Sequence, residues 1–178
     1  LHHNLLVTGS HNSKFFGKTI NDIKKDKIII SSIIDLNIKG DKARDITKYF
    51  STGIKKFSKK FFDLKPDIIL VLGDRYEIFS AVISAYLNNI PICHIYGGET
   101  TEGSLDEGIR HSITKLSNIH FVSTNKYFDR VKQLGENPSS IFNVGSMGVE
   151  SIKKHKIVKK KHLEELLSLK FDQKNILM

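Results

Sequence analysis

Four carboxylates, Glu99, Glu102, Asp106 and Glu107, fall within nine residues of the stretch HIYGGETTEGSLDEGIRH, His94 to His111, in a chain otherwise rich in lysine. A fifth, Asp74, follows Gly73 in VLGDRYE. Carboxylates that share one crevice cannot all ionise freely, so one is expected to carry a raised pKa and donate a proton while another stays a base. Arg110 and His111 close the longer stretch, and a guanidinium there suits a phosphate or carboxylate. Such a group is equipped for proton abstraction from carbon or for cleavage of a glycosidic bond.

Most of these residues also have a plainer reading. Asp74 is a favoured N-cap for a helix beginning at Arg75, with Glu77 in the capping-box position. Ser104-Leu105-Asp106-Glu107 has the S-x-x-E form of a capping box, and the pairs Asp106/Arg110 and Glu107/His111 are spaced for contact on one helix face. Glu99 and Glu102 escape both explanations, because Gly97 and Gly98 break the chain just before them; their loop belongs either to solvent or to a site. GSMGVES, residues 145 to 151, follows a strand and opens a helix, so the amides near Ser146 could cradle an anion, although a tight turn accounts for it equally and the spacing is no Walker loop. The histidines near the start lack metal-ligand company, so no metal is expected, and no serine or cysteine nucleophile motif is present.

The elements that must position these loops alternate. NLLVTG, KIIISSIID, DIILVLG, IPICHIY, IHFVST and IFNVG are short apolar runs ending in polar residues or glycine, as buried parallel strands do. Helical spacing fills the intervals at 41 to 64, 75 to 88, 104 to 116 and 125 to 134. The series predicts an α/β fold, a Rossmann-like doubly wound parallel sheet whose functional loops gather at the carboxyl ends of the strands. A strand-like LLVTG stands almost at residue 1 without a βα unit ahead of it, HLEELLSLK reads as a helix and KNILM as the start of a strand, so further segments are expected on both sides. Residues 1 to 150 form the expected domain, and 151 to 178 a connector helix and the start of another.

A chain of 178 residues with a net charge of +9 could suggest nucleic acid, and KKHKIVKKKH would carry that argument. The lysines are instead spread along amphipathic patterns such as GIKKFSKKFFDLK, where they read as a solvated helix face, so no nucleic-acid partner is expected. Cys93 is the single cysteine and sits in an apolar run, which excludes an internal disulfide. No apolar stretch approaches the length of a membrane span and no secretory signal opens the chain, so the expected location is cytoplasmic.

The block LVLGDRYEIFSAVISAYLNNIPICHIYGGETTEGSLDEGIRHSITKLSNIHFVST, with RVKQLGE and IFNVGSMGVESI after it, closely resembles the N-terminal half of the UDP-N-acetylglucosamine 2-epimerase family, above all its hydrolysing branch. The resemblance implies one half of a two-domain GT-B fold, with the active site between the halves, and a homo-oligomer with a UDP-sugar as partner and no cofactor. It implies removal of the C2 proton and expulsion of UDP from C1 to give a 2-acetamidoglucal, followed by water addition with inversion at C2. By this likeness Asp74 and Asp106 are catalytic carboxylates, and Arg75, Arg110, His111, Gly97, Gly98 and Ser146 border the substrate. Where many members read His-Val-Glu-Gly-Gly-Glu, this chain has Tyr96 in place of the first glutamate, and Glu99 is expected to take over. The sugar is left open between N-acetylglucosamine and a 2,4-diacetamido-6-deoxy sugar, with a glycosyltransferase or a noncatalytic binding module as further readings.

Overall fold

The computed structural model describes residues 2–171. All six expected strands are present, although shorter than their apolar runs: β1 (Leu6–Thr8), β2 (Ser32–Ile34), β3 (Ile69–Leu72), β4 (Ile92–Ile95), β5 (Ile119–Val122) and β6 (Ile141–Asn143). The helices are α1 (Ile20–Lys25), α2 (Ala43–Leu64), α3 (Tyr76–Leu87), α4 (Leu105–Leu116), α5 (Asn125–Gln133), α6 (Met147–Lys154) and α7 (Lys160–Leu167). The expected helices at 41 to 64, 75 to 88, 104 to 116 and 125 to 134 correspond to α2 to α5, and the polar stretch at α1 gave no periodic signal. KNILM lies outside the described residues.

The strands are parallel, as an α/β fold of repeated βα units requires, but they form two sheets rather than one. β1 pairs only with β2, and β3, β4, β5 and β6 pair in that order. The backbone edges of β1 and β3 that a single continuous sheet would join are thus unpaired among the described strands. KIIISSIID yields a strand of only three residues, because β2 is defined by its three-residue register with β1.

Register across the larger sheet aligns Val71, His94, His120 and Ile141 in one lateral row, and all four are buried. This is the covered face. Val71 and Ile92 there join the core with Ala81, Val82 and Ala85 of α3, Ile113 of α4, and Tyr49, Phe57 and Phe61 of α2. The next row, Leu72, Ile95, Phe121 and Phe142, points to the opposite face, where Leu72 and Phe142 remain about half exposed at 48% and 46%. Residues Leu1–Val144 make one compact unit and Gly145–Met178, which holds α6 and α7, a second.

Candidate active site

The loops after β3 and β4 converge on one buried cation. Arg110 lies on α4 one turn after Asp106 and one turn before Thr114, so the three share a helix face. Its side chain is 6% exposed, and its Nη2 pairs with the Asp74 carboxylate and donates to Thr101 Oγ1 at 3.0 Å. Nη1 donates to the Glu99 carbonyl at 2.8 Å. A buried guanidinium is tolerated only when its fork of donors is met, and here a carboxylate, a carbonyl and a hydroxyl meet it.

The loop between β4 and α4 is pinned further. Gly98 has φ +78°, and a Cβ there would stand 2.7 Å from the Tyr127 carbonyl oxygen, so no other residue fits without moving α5. Arg130 Nη1, also on α5, donates to the Gly98 carbonyl at 2.8 Å. Ser123, at the end of β5, donates its hydroxyl to Glu99 Oε1 at 2.7 Å. This contact fixes one oxygen of the half-buried Glu99 carboxylate. Glu107 Oε2 accepts from the Thr101 amide at 2.9 Å and closes the loop on itself.

Below this layer the His94 ring is fully buried on β4, with Nε2 2.9 Å from the Gly73 carbonyl and Nδ1 3.2 Å from Thr114 Oγ1. Burial pushes its pKa down to about 4, helped by His120 and Arg110 and opposed by the Gly73 carbonyl and Asp74. The ring is therefore neutral near pH 7. Because a carbonyl only accepts, Nε2 carries the proton.

Several sequence expectations are corrected at this level. Asp74 does not cap α3, whose N-cap is Arg75 without a side-chain bond, because the carboxylate is drawn away to Arg110. Arg110 accordingly pairs across the loops and not with Asp106 four residues before it. Ser104 does cap α4 by accepting from the Asp106 amide at 3.2 Å, but Glu107 reaches Thr101 rather than completing the box. Glu107 and His111 do face each other, at 3.7 Å. Glu77 is buried and takes Arg75 Nε at 3.1 Å, which turns half-exposed Arg75 toward α3 and over the Tyr76 ring. Tyr96 occupies the left-handed region with φ +68°, uncommon for a residue with a Cβ, while its amide donates to the Phe121 carbonyl at 2.9 Å. Ser146 belongs to the second unit, where it is the N-cap of α6.

The family model for UDP-N-acetylglucosamine 2-epimerase matches residues 1–178, the full length of the chain. The chain belongs to this family. Among curated relatives of this epimerase-family chain, the polysialic acid biosynthesis protein P7 of Escherichia coli is 44% identical over 160 residues, covering 90% of the chain and 41% of the relative. The hydrolysing GDP/UDP-N,N'-diacetylbacillosamine 2-epimerase of Campylobacter jejuni is 42% identical over 169 residues, covering 95% of the chain and 44% of the relative. The chain thus spans less than half the length of these relatives.

Solved structures agree on the fold. The UDP-GlcNAc 2-epimerase of Neisseria meningitidis, bound to UDP-GlcNAc, superposes with a TM-score of 0.70 at 22% identity, covering 93% of the chain and 46% of that protein. The UDP-N-acetylglucosamine 2-epimerase of Rickettsia bellii gives 0.71 at 21%, covering 94% and 44%. These likenesses bear out the Rossmann-like, GT-B-type fold class. Within this member of the family, the residues that sequence reasoning did not single out are His94, Thr101, Ser123 and Arg130. Two of them are hydroxyl residues and one a histidine inside an apolar run, types whose partners only the tertiary fold supplies.

Proposed function

We propose that the polypeptide carrying this chain is a hydrolysing UDP-N-acetylglucosamine 2-epimerase that converts UDP-N-acetylglucosamine and water to N-acetylmannosamine and UDP for nonulosonate synthesis. The observation that carries this reading is the gathering of Asp74 and the Glu99 loop about Arg110, with Asp106 one turn above on the same helix face. Proton removal at C2, departure of UDP from C1 and addition of water each need a base or an acid at the sugar ring. In this reading Glu99, whose Oε1 accepts from Ser123, is the base that takes the C2 proton. Asp106, whose carboxylate accepts no hydrogen bond among the described residues, exchanges protons with water and the ring. Asp74, locked on Arg110, fixes that cation so that its charge and geometry are set before substrate arrives. Arg75, His111, Gly97 and Gly98 stand as substrate-binding residues in this proposal.

A second reading keeps the reaction and changes the sugar to a UDP-2,4-diacetamido-2,4,6-trideoxyglucose. Two relatives at 42% and 38% identity carry the name of diacetylbacillosamine 2-epimerases, which favours it. The complete polypeptide, incubated in heavy water with each UDP-sugar in turn and followed by proton NMR, decides between them. Free UDP with a C2-deuterated, C2-inverted free sugar is the expected product. Interconverting UDP-sugars with C2 deuterium would move the reading to a nonhydrolysing epimerase, and no exchange with either sugar would refute epimerisation.

A further inference from the structure

Gly73 is held by β4 through both of its backbone groups, and the two contacts differ in kind. Its amide continues the sheet ladder to the Ile95 carbonyl at 3.2 Å. The chain then turns at φ +86°, which takes its carbonyl out of the ladder. That carbonyl is met by the His94 ring at 2.9 Å. Asp74 is the next residue, so the plane of this one peptide sets where its Cα stands and from where its side chain leaves the strand.

The other ring nitrogen faces Thr114, whose hydroxyl lies 3.0 Å from the Arg110 carbonyl on the same helix. Gly97 packs over the same place, since a Cβ there would come within 3.1 Å of His94 Nδ1 and 3.0 Å of Thr114 Oγ1. One buried imidazole thus touches the loop that carries Asp74, the helix that carries Arg110 and Asp106, and the glycine that begins the Glu99 loop. The titratable and charged groups around it are His120 from β5, Arg110 from α4 and Asp74 from the loop after β3.

We propose that His94 is a positioning residue, which sets the geometry of the Asp74–Arg110 pair by binding the Gly73 carbonyl through Nε2 and Thr114 through Nδ1. Its importance for turnover rests on the epimerase reading above; the placement itself does not. Outer-layer partners of this sort are commonly worth about 10- to 100-fold in activity, because a displacement on the order of an ångström spoils a reacting geometry.

The test uses the complete polypeptide with His94→Gln, His94→Asn and His94→Leu. Glutamine places an amide N–H about where Nε2 stands, asparagine is too short to reach Gly73, and leucine offers no donor. Per folded active site, His94→Gln is expected within about threefold of the parent kcat, and the other two about 10- to 100-fold lower with KM within about threefold. A role in folding alone would lower the melting midpoint and the folded fraction while leaving kcat per folded site alike in all three, and that result overturns the proposal. Crystal structures of the Gln and Asn variants give a readout without turnover: Asp74 stays on Arg110 in the first and leaves it in the second. Asp74 on Arg110 in both refutes the placement, whereas a parent enzyme without C2 exchange refutes only the epimerase reading. Should His94→Leu not fold, the Gln and Asn pair decides the question by both readouts.

Discussion

Acidification should weaken this domain through His94, and the size of the effect follows from its surroundings. An imidazole of pKa 6.5 is pushed to about 4 in the fold, first by burial and then by the nearby His120 and Arg110. At about 1.4 kcal/mol per pH unit, that displacement is worth about 3 kcal/mol. In the unfolded chain the ring takes up a proton as the pH drops below 6.5, while in the fold it stays neutral until about 4. The unfolded state therefore binds more protons across that window, and stability falls progressively as the pH is lowered through it. His94→Gln removes this titration and keeps a donor for Gly73. Urea denaturation of parent and variant from pH 7.5 to 4 should show the parent losing about 3 kcal/mol more than the variant, which lacks this titration. The carbon-bound ring proton of His94, followed by NMR, should hold its shift down to about pH 5. A ring that titrates near 6.5, or parallel stability curves, would refute the account of a buried neutral histidine.

The remaining expectations concern the site and its loops. Arg110→Met should destabilise the fold by about 3 kcal/mol, because it strips a carboxylate, a carbonyl and a hydroxyl of their shared donor, and Arg110→Lys should recover only part of this; both are read as shifts in denaturation midpoint. Glu99→Gln is expected to slow C2 deuterium exchange by at least about 100-fold, with Ser123→Ala costing less, since it only frees the carboxylate; unchanged exchange in Glu99→Gln would remove Glu99 from the base role. Gly98→Ala combines a left-handed backbone with a 2.7 Å approach to the Tyr127 carbonyl, and should lower stability by about 2 kcal/mol or more in thermal melts.

What could be read before the fold was known divides along a physical line. α2 was legible because its apolar residues recur at helical spacing for six turns, and the strands of the larger sheet because apolar runs end at glycine or polar residues. Local rules failed where a tertiary contact competed with a neighbour in sequence. Asp106 is the i−4 partner that helix spacing offers to Arg110, yet the guanidinium is taken by Asp74 from 36 residues away. Asp74 in turn is a favoured cap that never caps, because a charged partner outbids a backbone amide. The stretch IPICHIY gave no sign of a working histidine, since His94 reads there as one more buried residue until Gly73 and Thr114 are seen against its two nitrogens.

The uncovered sheet face has a practical consequence for anyone handling residues 1–178 by themselves. Leu70, Leu72 and Phe142 present oily side chains on it, and among the described residues β3 ends the larger sheet with an unpaired backbone edge beside them. A flat apolar surface next to an open strand edge is adhesive toward other copies of itself. Lysine-rich helices on the remaining surface would delay clumping at low ionic strength through mutual repulsion, and salt would remove that protection. Such a segment should scatter light on addition of sodium chloride.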